Sequence, residues 1–153
     1  LAAEIAERLS LPADELDAIR MAGEIHDVGL AGGVTGTEGF EADYDHPMVG
    51  ASLVEHLALH PSVADAIASH HEWYDGWGFP HGLRGEGIPF AGRVLAAAEL
   101  VAELAAGDPV RDPWPEERIV AEVRQHRGSQ LDPTVADATL ELLAAGRLHA
   151  LQS

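Results

Sequence analysis

The sequence contains no cysteine and no lysine, and only 5% of its 153 residues are aromatic. Without cysteine there is no disulfide scaffold, no thiol nucleophile and no thiolate metal site. Such a chain suits a reducing compartment, and a cytoplasmic location is expected. All nine basic residues are arginine, against 26 acidic residues, for a formal charge of −17. A field of that sign argues against a protein that coats DNA, RNA or an anionic membrane, because that binding runs on counterion release by a basic face. No apolar run reaches the length of a bilayer span and no signal peptide is visible, so membrane insertion is not expected. What is present is 46% apolar residues in a length that fits one domain with one core. The chain begins at Leu1, and residues 1–153 are expected to be a single domain cut from a longer protein.

Helical spacing dominates. Ala2, Ile5, Ala6 and Leu9 share one face, and a second helix is expected after Pro12, with Asp14 and Glu15 opposing its dipole. Leu16, Ile19, Gly23 and His26 lie along one stripe of it, carrying His26 and Asp27 inward at its C-terminal end. Residues 29–45 hold five glycines and little periodicity and read as loop. A helix is expected over 46–59, with Val49, Gly50, Leu53 and Leu57 on its inner face, and Pro61 breaks it. Helical spacing resumes over 62–72 and ends in His70-His71-Glu72. The following stretch, 75–89, is too rich in Gly and Pro for any helix. Residues 90–106 carry the strongest helical pattern, with Glu99 among buried positions, and two further helices are marked by Ile119, Val120 and Val123 and by Val135, Ala138, Leu142 and Leu143. The fold class expected is an all-α bundle with one long loop.

Nine histidines are present. A His-Asp or a His-His pair alone means little, because chance supplies such dipeptides at this composition. Their positions carry more: His26-Asp27, His46 and His70-His71 stand at the ends of ordered segments, and Glu99 lies on a buried helix face. Neutral imidazoles and carboxylates suit Fe, Mn or Zn, and bundle interiors are where such ligands converge. A carboxylate bridging two ions, with histidines around it, makes a site that can activate water and clamp a phosphodiester. The alternative is that each histidine simply caps a helix terminus.

Taken in order, His26-Asp27-Val28-Gly29, His46-Pro47, the run from His70 through Trp73, Tyr74 and Trp77 to Gly78-Phe79-Pro80, Gly82-Leu83-Arg84-Gly85 and Arg93-Val94-Leu95 resemble the HD-GYP branch of the HD phosphohydrolase superfamily. The resemblance runs from about residue 5 to residue 143. It implies a helical bundle around divalent metal ions, usually Fe or Mn, and hydrolysis of cyclic di-GMP to a linear dinucleotide or GMP. His26, Asp27, His46, His70, His71 and Glu99 match the family's metal ligands, with Asp27 the bridging carboxylate at the centre of catalysis. Arg93 and Arg84, with Gly78, Phe79 and Pro80, match the side of the site that meets the nucleotide. Two ions are expected, because the family's further ligands, a Glu and a His, lie ahead of Leu1. The partners implied are cyclic di-GMP or a related nucleotide, a sensory or receiver domain in the parent chain, and a second copy in a homodimer; DNA is not among them.

Several positions depart from the family pattern. Leu30 stands where the motif has Lys, Glu99 replaces a ligand Asp, Ala102 replaces a second Asp, and Phe79 replaces the Tyr of Gly-Tyr-Pro. Leu30 removes a positive charge expected near the scissile phosphate. These changes support a second reading, a catalytically degenerate domain that senses a nucleotide or binds a protein. A phosphohydrolase of another nucleotide is a third. His56 and His60, four apart, read as a solvated helix face, and His81, His126 and His149 as surface. Trp73, Tyr74 and Trp77 either stack on a purine or pack the loop on the bundle.

Overall fold

The computed structural model describes residues 1–33 and 40–147. Among the described residues seven helices follow in chain order: α1 (Ala2–Arg8), α2 (Ala13–Ile25), α3 (Phe40–Glu55), α4 (Pro61–Ser69), α5 (Phe90–Ala106), α6 (Glu116–His126) and α7 (Pro133–Ala144). Two 3-10 segments, His26–Gly33 and Gly85–Gly87, join them, and no strand occurs among the described residues. The all-α expectation holds.

Proline and capping chemistry set most of the boundaries. Pro12, Pro89 and Pro115 occupy the N-cap positions of α2, α5 and α6. Asp132 caps α7, accepting the Thr134 and Val135 N–H groups, ahead of Pro133 at the first helical position. Gly107 ends α5 with φ of 69°.

Helix α5 is the centre of the bundle and packs on α1, α2, α4, α6 and α7. Its buried residues run Ala91, Gly92, Val94, Leu95, Ala96, Ala97, Ala98, Val101, Leu104 and Ala105. A helix hydrophobic over so much of its circumference belongs in a core, and its many alanines let neighbours approach closely. Ile5, Ile19, Ile67, Ile119, Val123 and Leu143, all fully buried, come from the surrounding helices to meet it.

Close backbone approach brings the histidine-bearing segments together. Gly29 in the first 3-10 segment faces Gly50 in α3, and a Cβ on Gly50 would stand 2.9 Å from Ile67 Cγ2 of α4. Where α4 crosses α5, a Cβ on Gly92 would strike Ser69. Small residues at these crossings bring the 3-10 segment and the middle of α3 against α4, and α4 against α5.

The structure corrects several sequence expectations. Helix α2 ends at Ile25, so His26 caps it, Asp27 lies in the 3-10 segment, and the Asp27 side chain is half exposed rather than turned inward. The interval read as loop over 29–45 contains the rest of that 3-10 segment and the start of α3 at Phe40; residues 34–39 lie outside the described residues. Helix α3 ends at Glu55, and its buried face is His46, Pro47, Gly50, Ala51 and Val54, while Leu53 and Leu57 are exposed at 42% and 56%. Pro61 starts α4 rather than merely ending its predecessor. The Gly- and Pro-rich stretch admits the 3-10 turn Gly85–Gly87.

His56 and His60 both lie beyond α3, so they share no helix face. His56 is exposed, and His60 caps α4 through an Nδ1 that accepts the Ser62 N–H at 3.3 Å. His81 is exposed, and His126 is half-buried against Glu122 at 3.0 Å. His149 lies outside the described residues. Among the described residues no helix is long and apolar enough to cross a membrane.

Candidate metal centre

Two groups of side chains each offer three donor atoms within 4.8 Å of one another: His46, His70 and His71, and His26, Asp27 and Glu99. They are neighbours. The His26 and His70 ring centroids lie 5.4 Å apart, and the Asp27 carboxylate stands between the groups. Its Oδ1 is 3.4 Å from His46 Nε2, and its Oδ2 is 3.4 Å from His26 Nε2. Glu99 Oε1, reaching in from α5, is 3.6 Å from the same His26 nitrogen. His46 Nε2 and His70 Nε2 are 3.2 Å apart.

Helix ends hold the rings. His26 Nδ1 lies 3.0 Å from the Gly23 carbonyl, and His70 Nδ1 lies 2.7 Å from the Ile67 carbonyl, each three residues back. A carbonyl only accepts, so both Nδ1 atoms carry their protons and both Nε2 atoms turn a lone pair toward the cluster. At these helix ends the ring therefore has two uses: it satisfies an orphan carbonyl and aims its other nitrogen. The helix-cap reading of these histidines and the ligand reading are thus compatible.

Burial disfavours the charged form of the donors, keeping His70 and His71 as neutral imidazoles and Glu99 as a neutral carboxyl. His70, deeply buried, is pushed down to about 3, by desolvation first and then by the neighbouring ring of His71. His71 is pushed down to about 4, by desolvation and then His46. Glu99 is pushed up to about 8, by desolvation and then by the carboxylates of Glu103 and Asp27. At neutral pH and without metal, His70 and His71 are thus uncharged and Glu99 is protonated, a state that a bound cation would reverse at Glu99.

The donor set fits divalent metal ions. With bonds of about 2.0–2.2 Å, two donors on one ion stand about 3.0–3.5 Å apart, near the 3.2–3.6 Å separations found here. Nitrogen and carboxylate donors without thiolate suit Fe, Mn or Zn.

Around the centre, a cleft of about 310 Å³ is lined by Leu1, Arg20, Gly23, His26, Leu95 and Glu99. A smaller recess of about 50 Å³ lies against His71, Trp73, Glu99, Glu103 and Gln130. On the loop after α4, the Phe79 ring stacks on His71 at 4.7 Å, and Tyr44 stacks on Phe79 at 4.9 Å. Gly78, Phe79 and Pro80 therefore lie beside the donor cluster. Trp77, two residues before Phe79, is 83% exposed, while Tyr74 is tied to the bundle through its N–H to the Gln130 carbonyl. Arg84 is exposed, and no carboxylate pairs with it among the described residues. Arg93 is different: its Nη1 donates to Asp132 Oδ2 at 2.7 Å, and its guanidinium lies over the Phe90 ring at 4.7 Å. Leu30 is half exposed on the 3-10 segment.

Sequence reasoning assigned no role to two acidic residues with large ones in the fold. Glu72 is 2% exposed and accepts two loop amides, from His81 at 2.7 Å and Leu83 at 2.9 Å. Asp132 joins the cap of α7 to Arg93 of α5. The Asp-Pro pair signals the cap; nothing local signals the arginine.

Comparison with known proteins accords with this geometry. The HD domain family profile matches residues 1–135. The chain is 31% identical over 147 residues to the cyclic di-GMP phosphodiesterase response regulator RpfG of Xanthomonas campestris, an alignment covering 89% of the chain and 39% of that protein. It is 28% identical to a 3'3'-cGAMP-specific phosphodiesterase of Vibrio cholerae, over 90% of the chain and 28% of the relative. A cyclic di-GMP phosphodiesterase of Thermotoga maritima is also 28% identical, over 93% of the chain and 42% of the relative. The chain thus spans less than half the length of these relatives. The crystal structure of a cyclic GMP-AMP specific phosphodiesterase of V. cholerae superposes with a TM-score of 0.78 at 20% identity, over 99% of the chain and 44% of that structure. It shares the helical fold. With its His-Asp pair at the centre of the cluster and its Gly-Phe-Pro loop beside it, the chain belongs to the HD-domain family, in its HD-GYP branch.

Proposed function

We propose that the chain is the catalytic domain of a metal-dependent phosphodiesterase that hydrolyses cyclic di-GMP to the linear dinucleotide or GMP. One observation carries the reading: the two oxygens of Asp27 face two different histidine nitrogens, one in each donor group, as a carboxylate shared by two ions must. His26, Asp27 and Glu99 would hold one ion, and His46, His70 and His71 the other, with Fe or Mn the expected metals. Bound divalent ions supply Lewis acidity toward the phosphate oxygens and make water a nucleophile at neutral pH.

The chain's own residues do the rest. His26 and His70 present bare Nε2 atoms because their Nδ1 protons are held on carbonyls. Glu99, protonated at neutral pH without metal, would have to give up that proton to act as a ligand, so metal uptake would release a proton. Hydrolysis adds water across one phosphodiester bond: the water oxygen joins phosphorus, and a proton ends on the departing sugar oxygen. Gly78, Phe79 and Pro80 would wall the nucleotide side. Arg84 would meet a phosphate, and Arg93 would offer it the N–H groups that Asp132 leaves unused.

A second reading, a non-catalytic domain that binds a nucleotide or a partner protein, is favoured by one feature: Leu30, half exposed, brings no charge to the segment carrying His26 and Asp27. Incubation with Mn²⁺ and either cyclic di-GMP or 3'3'-cGAMP, with products separated by ion exchange, distinguishes the readings. Linear dinucleotide from cyclic di-GMP, lost in Asp27→Ala together with bound metal, is the expected result. Turnover that survives Asp27→Ala would refute the site. Metal uptake without product from either nucleotide would establish the second reading.

A further inference from the structure

The loop after α4 is closed by a buried carboxylate. Glu72 directly follows the donor pair His70-His71, is 2% exposed, and spreads its two oxygens over the N–H groups of His81 and Leu83. Both bonds lie in a buried setting, where a loop amide left without its acceptor would be costly. Between the two ends of this clasp the chain turns back on itself. The Phe79 N–H donates to the His71 carbonyl at 3.0 Å, and Gly78 presses so closely on Trp73 N and the His71 carbonyl that a Cβ has no room.

Phe79 is thereby set on His71, ring against ring, at 4.7 Å and 23°. His71 needs this support more than its neighbours do. The rings of His26 and His70 are anchored through Nδ1 to carbonyls, whereas among the described residues no hydrogen bond holds either ring nitrogen of His71. Stacking therefore does for His71 what a carbonyl does for the other two.

We propose that Glu72 is a positioning residue of the metal centre. Its carboxylate clasps the loop, the loop seats Phe79, and Phe79 fixes the plane of the His71 imidazole. The inference rests on the reading of His71 as a metal donor. Partners that orient a metal-binding histidine typically change metal affinity by about 10–100-fold when removed.

The test uses Co²⁺, whose visible absorption reports its donors, with Glu72→Gln, Phe79→Ala and the double variant. Gln keeps the shape of Glu72 but can accept only one of the two amides, since its NH₂ end opposes the other. Hydrogen exchange of the His81 and Leu83 amides should quicken in Glu72→Gln and stay slow in Phe79→Ala. Cobalt affinity should fall by about 10–100-fold in both single variants, with altered visible bands, and the double variant should be no weaker than the worse single. Wild-type cobalt affinity in Glu72→Gln with its amides opened, or in Phe79→Ala, would overturn the inference, as would additive losses in the double variant. If Glu72→Gln does not fold, Phe79→Ala decides alone, because it leaves the clasp in place. Failure of the wild type to take up cobalt would remove the donor reading and the inference with it, whereas loss of the inference alone leaves wild-type uptake intact.

Discussion

Replacing Gly29 with Ala drives a methyl group into the seam between the 3-10 segment and α3. The new Cβ would strike the His46 carbonyl oxygen and stand 2.8 Å from Gly50 N, two backbone groups one helical turn apart. Ordinary contact begins near 3.4 Å, so even the looser of these encounters demands a shift of about 0.6 Å, and the carbonyl demands more. Neither obstacle is a flexible side chain, so the cost lies at the upper end of overpacking, about 3 kcal/mol. In a domain of this size that lowers the melting temperature by about 6–12 °C. The displaced residue is His46, whose Nε2 is only 3.4 Å from Asp27, so metal affinity should fall with stability. Gly87→Ala is the control: no atom stands within 4 Å of its Cβ, and the change should cost no more than about 0.5 kcal/mol. Thermal unfolding with and without Mn²⁺ measures both effects. A Gly29→Ala protein that melts within about 2 °C of wild type, with its metal response intact, would refute the close approach on which the site's assembly depends.

Metal binding itself should stabilise the fold. Mn²⁺ at one hundred times its dissociation constant adds about 2.7 kcal/mol, or about 5–11 °C, reversed by chelation and absent in His70→Ala; an unchanged melting curve counts against the donor cluster. Asp132→Ala removes two amide bonds of the α7 cap and strands Arg93, only 13% exposed, so urea titration should show a loss of about 3–5 kcal/mol. Arg93→Met should cost less, about 1–2 kcal/mol, because Asp132 keeps its cap bonds. The metal-free protein should depend on pH through Glu99. Its folded-state value near 8 exceeds the ordinary 4.5, so the native state binds the extra proton, and stability falls as pH rises from about 4.5 to about 8. His70 and His71 act in the opposite sense at lower pH: their values near 3 and 4 lie below 6.5, so stability is lost as pH falls below 6.5. Glu99→Gln should abolish the loss between pH 6.5 and 8, and parallel melting profiles of variant and wild type would contradict the assignment.

Much of the bundle was legible because its signals are local. Helix α5 was read to the residue, since a continuous apolar pattern runs from Pro89 to Gly107 and both ends are punctuated. Helix α3 is harder to read because Val54 is the one branched aliphatic residue on a buried face otherwise made of His46, Pro47, Gly50 and Ala51, while Leu53, and Leu57 just beyond the helix, point to solvent. Hydrophobic periodicity finds a face only when that face buries apolar side chains. Here two glycines meet across the seam, and the room they leave is filled by backbone. Even His60, read as solvated, proved to be a helix cap, a role that depends on where the next helix starts.

The composition by itself determined an acidic, cysteine-free helical domain, and the motif order determined its family and the donors to consider. Those properties are written in residue types and short spacings, which tertiary contact does not alter. Only the tertiary structure decided that Asp27 turns one oxygen to each donor group, that Arg93 is held by Asp132 thirty-nine residues away, and that Glu72 clasps amides nine and eleven residues downstream. Each of these depends on a direction in space. Two of Glu72's partners are backbone amides, which every residue but proline carries, so no pattern of side chains could have named them.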